Sequence, residues 1–150
     1  MVVMKNGCFA FLFCLLAIGS VVNAQPGKEK AVREVLKRVT GRTDLPIKLA
    51  LKQDKGGAPL YFQYQVNNDQ LYIQGSTPVA LCRGFYDFIK SNRCGLYSWS
   101  GNNMVFPHSL PQGMAKRVVS PFEHHYYLNV VTYGYSMPYW DWTRWEQEID

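Results

Sequence analysis

The first 28 residues of this 150-residue chain lack any acidic side chain, and the first carboxylate is that of Glu29. Lys5 stands before the 11-residue apolar run Cys8–Ile18, which is too short for a membrane-spanning helix of roughly 20 residues. Compact residues at 22–24 then match the positions that a signal peptidase reads. This order predicts a secretory signal peptide over residues 1–24 and excludes a spanning anchor there.

Cleavage after Ala24 would make residues 25–150 an exported chain with no membrane segment. The compartment stays open between a periplasm, the cell exterior and a lysosome. A lipoprotein is the alternative, and it requires a cysteine just after a small residue at the end of the apolar run. Cys14 instead lies inside the run, between Phe13 and Leu15, which argues against lipidation.

Basic residues are not clustered anywhere in the chain. The 16 Lys and Arg against 11 Asp and Glu give a formal net charge of +5, and these charges are spread along the sequence. Nucleic-acid binding usually requires a dense basic patch or stripe. The sequence therefore predicts no nucleic-acid partner.

Cysteine is scarce, and only Cys82 and Cys94 remain after the signal peptide. Export would permit a disulfide, but sequence cannot show its geometry, and buried thiols are expected. Their number and spacing do not suit zinc. His124 and His125 are adjacent, so on a strand their side chains would point to opposite faces. No metal site and no cofactor are predicted.

Residues 25–118 are predicted to form a small α+β domain, a helix laid on an antiparallel sheet. The expected order is helix, three strands, helix and two short strands: 28–39, 47–51, 60–66, 70–74, 76–91, 96–99, 104–106. Gly41 is placed to end the first helix, and the three early strands suggest a meander. Gly84 lies within the second helix, which predicts a close contact with a neighbouring element.

The pattern changes over residues 119–150. Tyr126–Tyr133 is a nearly continuous apolar and β-branched run, which is typical of a parallel strand buried on both faces. A loop and an amphipathic helix follow, with Trp142, Trp145 and Ile149 on one stripe. This is the first β/α unit of a larger fold. The sequence offers it no parallel partner strand, and we expect a truncated α/β fold.

Two long motifs carry a family resemblance. They read Tyr-Tyr-Leu-Asn-Val-Val-Thr-Tyr-Gly-Tyr-Ser at 126–136 and Trp-Asp-Trp-Thr-Arg-Trp-Glu-Gln-Glu-Ile-Asp at 140–150. They resemble the start of the catalytic barrel of glycoside hydrolase family 89, the α-N-acetylglucosaminidases. The resemblance implies that residues 119–150 are the first β/α unit of a truncated (β/α)8 barrel. Upstream, Gly-Ser-Thr at 75–77 and Cys-Gly-Leu-Tyr-Ser-Trp-Ser-Gly at 94–101 resemble the family's small N-terminal domain.

The resemblance implies an enzyme that removes terminal α-linked N-acetylglucosamine from glycans with retention of configuration. Retention needs an acid/base and a nucleophile, two carboxyl groups about 5–5.5 Å apart. In the family both are Glu residues far downstream of these motifs. The resemblance therefore implies that this chain carries no catalytic residue and is inactive alone.

Three substrate contacts are implied by the resemblance: Asn129, Val131 and Tyr135. Asn129 and Val131 are two residues apart, so on a strand they share one face. If that face points into the barrel near its mouth, both can approach a substrate. The alternative is an Asn129 amide satisfied by neighbouring backbone. Val131 stands where the family often has Cys, which removes a weak donor.

The acidic residues near the end of the chain are weak catalytic candidates. Glu146 and Glu148 lie about 200° apart around a helix, so they cannot act on one bond. Both are predicted surface charges, and Asp141 is predicted to cap the helix.

A stand-alone secreted carbohydrate-binding or interaction module is the alternative function. The late cluster of tyrosines and tryptophans suits a sugar-binding face and a buried core equally well. The unpartnered last strand and the Trp-rich helix also predict self-association.

Overall fold

The computed structural model describes residues 26–52, 59–98, 101–122, 124–126 and 137–149. Its elements, in chain order, are α1 Pro26–Thr40, β1 Ile47–Leu51, β2 Tyr61–Asn67, β3 Gln70–Gly75, α2 Pro78–Ser91, β4 Tyr97–Ser98, β5 Gly101–Asn102, β6 Ala115–Val119, a 3₁₀ turn Met137–Tyr139, and α3 Trp142–Ile149. Within these ranges no helix combines the length and apolarity that crossing a membrane requires. The predicted α+β class is confirmed.

Helix α1 forms where apolar residues recur at helical spacing. Val32, Leu36 and Val39 are buried, and the charged residues between them face solvent. Gly41 adopts a φ of +69°, and its N–H donates to the Lys37 carbonyl at 2.8 Å. This left-handed residue after the last turn satisfies a terminal carbonyl and ends the helix as predicted.

The main sheet has four strands in the order β1-β3-β2-β6. Strand β2 is antiparallel to both of its neighbours, whereas β1 runs parallel to β3. The predicted meander is therefore wrong, because β1 lies beyond β3 instead of beside β2. Asn68 and Asp69 have φ values of +50° and +56°, which closes the tight β2–β3 hairpin and leaves the other edge of β2 to β6.

The outer edge of β1 is covered by side chains of α1. Glu29 Oε1 accepts the Leu51 N–H at 3.2 Å, and Arg33 Nη1 donates to the Ile47 carbonyl at 3.4 Å. An open edge of this kind is a template for pairing with another chain. The first helix therefore blocks this edge in addition to covering the core.

Strand β6 was not predicted from the sequence, and the last predicted strand was misplaced. The pair is β4 with β5, in which Tyr97 faces Asn102, so residues 104–106 are not a strand. Asn102 Oδ1 instead accepts the Met104 N–H at 2.9 Å and turns the chain. Phe106 then enters the core from a loop, with 4% of its surface exposed.

Helix α2 starts with a strong cap. Thr77 Oγ1 accepts the Ala80 N–H at 3.1 Å, and Pro78 occupies the first turn, where its missing N–H has no consequence. Gly84 faces the sheet, where an added Cβ would lie 3.0 Å from Ile73 Cγ2 and 3.3 Å from Phe62 Cδ2. The predicted close approach at Gly84 is confirmed, and the absence of a side chain there lets the helix pack closely against the sheet.

Helices α1 and α2 both cover the same face of the sheet. Phe88 lies at the centre of this core with no exposed surface, edge-on to Tyr64 at 5.6 Å and beside Phe106 at 6.4 Å. Alternate residues of the strands point to the opposite face. That second face is left open to other contacts.

Candidate functional site

The three predicted sugar contacts, Asn129, Val131 and Tyr135, lie outside the described residues. Their roles stay predictions. The chain on either side is described: Tyr126 is 83% exposed, and Met137 is 6% exposed at the start of a 3₁₀ turn. Trp99, in the upstream motif, also lies outside the described residues.

Asp141 caps helix α3. Its Oδ1 accepts the Arg144 N–H at 2.9 Å, and its carbonyl accepts the Trp145 N–H at 3.1 Å. The capping role predicted from the sequence is confirmed. The carboxylate is thus held by one helix amide, that of Arg144, which is a structural task for a residue in this position.

The aromatic residues of this segment form a small cluster. Trp140 and Trp145 meet edge to face at 5.4 Å, and the Arg144 guanidinium lies 4.6 Å from the centre of the Trp140 ring. Trp142 and Ile149 are 70% and 68% exposed. The apolar stripe of α3 is therefore only partly covered by the residues that the structure describes.

Helix α3 also contacts the N-terminal part of the chain. Glu146 Oε1 lies 3.7 Å from Arg38 Nε of α1, and each side chain is 37% exposed. A groove of about 310 Å³ separates the β4–β5 hairpin from α3. The Glu146 carboxylate thus faces a cation of another element, which agrees with a surface charge and not with a catalytic acid.

The open face of the sheet carries a hydrogen-bonded row of side chains. Arg117 Nη1 donates to Gln63 Oε1 at 2.8 Å, and Gln63 Nε2 donates to Gln74 Oε1 at 3.3 Å. Gln74 Nε2 then donates to the Tyr61 hydroxyl at 2.8 Å. Each amide is oriented by this chain, because both its oxygen and its nitrogen have an assigned partner.

Two cations of this face lie over tyrosine rings. The Arg117 guanidinium is 4.2 Å from the centre of the Tyr61 ring, and Lys48 Nζ is 5.3 Å from the centre of the Tyr72 ring. Between them the face forms a shallow groove of about 460 Å³, and none of the described residues that line it is acidic. We call this surface the polar sheet face, made of Lys48, Tyr61, Gln63, Tyr72, Gln74 and Arg117.

A second polar cluster lies at the margin of the core. The Tyr64 hydroxyl donates to Asp87 Oδ2 at 3.1 Å, and Lys116 Nζ lies 2.7 Å from the same oxygen. Burial raises the pKa of Tyr64, and the hydrogen bond to Asp87 raises the pKa of Lys116. Both groups therefore hold their protons to higher pH than usual.

The two cysteines are thiols, as expected, and each is only half-buried. Burial raises the pKa of the Cys94 thiol, and its Sγ lies 3.4 Å from the Asn92 carbonyl. A raised pKa lowers the thiolate fraction and with it the reactivity.

The histidines near the domain junction are exposed. His125 Nε2 lies 3.1 Å from Ser120 Oγ, and its ring meets Phe122 edge to face at 6.3 Å. Among the residues that the structure covers, no three His, Cys, Asp or Glu side chains are grouped as metal ligands.

Comparison with known families gives two matches, which cover successive parts of the chain. The alpha-N-acetylglucosaminidase (NAGLU) N-terminal domain family matches residues 30–112, more than half of the chain, and its tim-barrel domain matches residues 125–150.

The chain belongs to the α-N-acetylglucosaminidase family.

Individual members of the α-N-acetylglucosaminidase family show the same relationship. The chain is 39% identical over 80 residues to the human alpha-N-acetylglucosaminidase, covering 52% of this chain and 11% of that protein. A Clostridium perfringens family 89 glycoside hydrolase, solved with its substrate GlcNAc-alpha-1,4-galactose, superposes with a TM-score of 0.71 at 27% identity. The same organism's enzyme in complex with PUGNAc gives a TM-score of 0.72 at 25% identity.

The chain spans only a small part of these α-N-acetylglucosaminidases. Each C. perfringens structure covers 85% of this chain, whereas the chain covers 15% of that protein. Fold and family are therefore established for this chain, and the activity of the complete relatives is a separate question.

In this member of the α-N-acetylglucosaminidase family, the polar sheet face was not predicted from the sequence. The alternation of Tyr61, Gln63 and Gln65 along β2 was a usable signal, because one face of that strand is polar and the other apolar. The position of Arg117 on this face could not be predicted, because strand β6 was not predicted from the sequence.

Proposed function

We propose that this chain forms the N-terminal part of an exported, retaining exo-glycosidase that hydrolyses terminal α-linked N-acetylglucosamine from glycans. The observation that carries the proposal is the order of the two family matches, the N-terminal domain at 30–112 followed by the barrel at 125–150. The C. perfringens relative solved with a GlcNAc-α-linked substrate supports the choice of sugar.

We divide the chain into a signal peptide at 1–24, an N-terminal α+β domain at 25–118 and the start of a catalytic barrel at 119–150. Two observations support the second boundary. Strand β6 ends at Val119, and the barrel family match begins at residue 125.

Substrate contact is assigned to Asn129, Val131 and Tyr135. Asn129 offers both an amide donor and a carbonyl acceptor, which can pair with sugar hydroxyls or with the acetamido group. On the predicted strand, Val131 would share a face with Asn129 and would give apolar contact. Tyr135 would follow in the predicted loop, where barrel enzymes place their substrate contacts.

No catalytic residue is assigned within residues 1–150. Retaining hydrolysis needs two carboxyl groups about 5–5.5 Å apart across the scissile bond. Asp141 is committed to a helix cap, and Glu146 faces Arg38. Following the family resemblance, we assign the acid/base and the nucleophile to a part of the barrel beyond residue 150.

A chimera tests this assignment. Residues 25–150 replace the matching segment of the C. perfringens family 89 enzyme, and the product is assayed with nitrophenyl α- and β-N-acetylglucosaminides. We expect hydrolysis of the α-linked substrate alone, with the sugar first released as the α anomer. The purified chain by itself is expected to give no turnover.

Two outcomes would count against the proposal. One is measurable turnover by the pure chain, which would place working carboxylates within it. The other is a folded but inactive chimera, as judged by circular dichroism and thermal unfolding. Combined with glycan binding by the isolated chain, an inactive chimera would favour the carbohydrate-binding module instead.

Export is tested separately by expression in a secreting host. Mass spectrometry of the secreted protein should show a mature N-terminus at Gln25. The compartment is proposed as periplasmic, extracellular or lysosomal, according to the host. Retention of residues 1–24 on a membrane-bound product would overturn the signal-peptide assignment.

A further inference from the structure

Strand β6 forms the edge of the main sheet opposite to β1. The Ser120 N–H donates to the Leu60 carbonyl at 2.7 Å. Bonded residues alternate in an antiparallel pair, so every second residue before Ser120 also directs its backbone groups to β2. The N–H and C=O groups of Ala115, Arg117 and Val119 therefore point outward. Within the described parts of the chain, no residue bonds to these outward groups.

The two edges of the sheet are protected differently. At β1, Glu29 and Arg33 of α1 bond to the edge backbone at 3.2 and 3.4 Å. Charged side chains on an edge strand normally discourage a further strand from pairing. On β6, however, Lys116 pairs with Asp87 at 2.7 Å, and the Arg117 guanidinium lies 4.2 Å from the centre of a tyrosine ring. Both charges are held against the domain, so the outward backbone groups of β6 stay accessible.

An apolar groove of about 530 Å³ lies beside the end of β6. Val118 of β6 and Val79 of α2 line it together with Phe122. Val79 is 77% and Phe122 is 65% exposed, and clustered apolar side chains of this kind mark contact surfaces. Val118 pairs with the buried Phe62, so its side chain lies on the helix-covered side of the sheet. An added strand would therefore meet apolar surface on that side.

A second copy of this chain does not fit the edge. Antiparallel pairing of two β6 strands about Arg117, the middle outward residue, would place this residue opposite itself. Like charges directly opposite each other destabilise a strand pair. The edge instead offers a cation on the open side of the sheet and apolar contacts on the helix side. Its complement is an extended segment with acidic side chains on one face and apolar side chains on the other.

We propose that the outer edge of β6 binds an extended polypeptide segment of a partner protein, in which apolar and acidic residues alternate. The segment adds an antiparallel strand to the sheet and exchanges backbone hydrogen bonds with residues 115, 117 and 119. An acidic side chain lies beside Arg117, and its apolar neighbours face the groove lined by Val79 and Phe122. This interaction is separate from the proposed glycosidase activity and does not depend on it.

Fluorescence anisotropy with the labelled peptide Thr-Val-Glu-Val-Glu-Val-Thr tests the proposal. The reference peptide has Lys in place of both Glu residues and should bind at least about tenfold more weakly. The variant Arg117→Glu should reverse this preference, because the charge opposite the peptide changes sign. The matched control Lys37→Glu makes the same change of charge at an exposed residue of α1 and should keep the preference for the acidic peptide.

Two further changes test the backbone pairing itself. In the antiparallel arrangement the Glu residues of the peptide direct their N–H groups to β6. Methyl groups on the Glu nitrogens should therefore abolish binding, whereas methyl groups on the Val nitrogens should preserve it. The variant Val119→Pro removes one outward N–H and leaves the bonds to β2 in place, and it should weaken binding about tenfold.

The proposal is overturned if the acidic peptide does not bind, or if the acidic and basic peptides bind equally. Binding that is insensitive to the position of the methyl groups would also overturn it, because the peptide would then contact the groove without joining the sheet. Dimerisation of the wild-type chain that Val119→Pro abolishes would assign the edge to a second copy instead. The methylated peptides leave the protein unchanged, so they decide the question even if Val119→Pro unfolds.

Discussion

Lys116 on strand β6 lies 2.7 Å from the Asp87 carboxylate on helix α2. The same oxygen accepts a hydrogen bond from the Tyr64 hydroxyl at 3.1 Å, so one carboxylate joins three elements. Lys116 is the core-side neighbour of Arg117, whose side chain belongs to the polar sheet face. The pair therefore fixes the edge strand that presents this face.

This relationship predicts a loss of stability at alkaline pH. The pKa values of Tyr64 and Lys116 are raised in the folded state above the ordinary 10.0 and 10.5. The two groups contribute fully to the free energy of unfolding at pH values below their ordinary pKa values. This contribution is lost as the pH rises through their folded-state pKa values, because the unfolded chain releases these protons at lower pH than the folded chain. Urea unfolding should show a falling free energy above about pH 10.

The variant Tyr64→Phe/Lys116→Met is the comparison for that titration. It should be less stable at pH 8 and should lose less further stability between pH 8 and pH 11. All other residues are shared by the two proteins, so the difference between their pH profiles isolates the Tyr64–Lys116 pair. An identical pH slope for the variant would contradict the assignment.

Gly84→Ala is predicted to destabilise the protein despite the gain in helix propensity. An added methyl would lie 3.0 Å from Ile73 Cγ2 and 3.3 Å from Phe62 Cδ2, and both of these side chains are buried. Overpacking of about 1–3 kcal/mol opposes a propensity gain of about 1 kcal/mol. We expect a net loss of about 1 kcal/mol by urea denaturation. Gly27→Ala, with nothing within 4 Å of its Cβ, is the control and should not destabilise.

Asp141→Ala is predicted to loosen helix α3 locally. Loss of the bond from the Arg144 N–H removes a cap that contributes about 1 kcal/mol. Hydrogen exchange at the Arg144 amide should accelerate about fivefold on this basis. Asp141→Asn keeps a capping oxygen and should exchange at nearly the wild-type rate. Unchanged exchange in the Ala variant would mean that the cap has no influence on the helix.

Asn129→Ala, made in the active chimera, should lower kcat/KM at least about tenfold for the α-linked substrate, as expected for the loss of hydrogen bonds to the sugar. Tyr126→Phe, at a position exposed in this structure, should have little effect. Val131→Cys restores the residue that the family resemblance implies and should be tolerated. An Asn129→Ala chimera with normal kinetics would remove this residue from the site.

Self-association is predicted through the apolar stripe of α3. Trp142 is 70% and Ile149 is 68% exposed. Sedimentation velocity should show concentration-dependent association that Trp142→Glu weakens about tenfold, since a charge replaces a large apolar contact. Tyr139→Glu, at an 80% exposed residue off the stripe, is the control. A wild-type chain that stays monomeric at high concentration would contradict this prediction.

Helices α1 and α2 were predictable because their burial follows local periodicity. Val32, Leu36 and Val39 are spaced so that only a helix aligns them, and Gly41 and Thr77 mark boundaries through local hydrogen bonds. No long-range information is needed for such features. The Asp141 cap was predictable for the same reason.

The places of β1 and β6 in the sheet were not predictable from the sequence, because they depend on partners far apart in the chain. Leu49 pairs with Ile73 and Tyr64 with Lys116, across tens of residues. Strand β6 has charged residues on both faces, since Lys116 reaches Asp87 and Arg117 reaches Gln63, which removes the alternation expected of a strand. The polar sheet face depends on that pairing and was missed with it.

We propose that residues 126–133 form an opening strand of a catalytic barrel, and the other functional assignments depend on this strand. The decisive experiment is a crystal structure of the chimera in complex with N-acetylglucosamine. We expect parallel neighbours on both sides of this strand and an Asn129 side chain in contact with the sugar. Antiparallel neighbours around residues 126–133, in a sheet closed without further barrel strands, would contradict it.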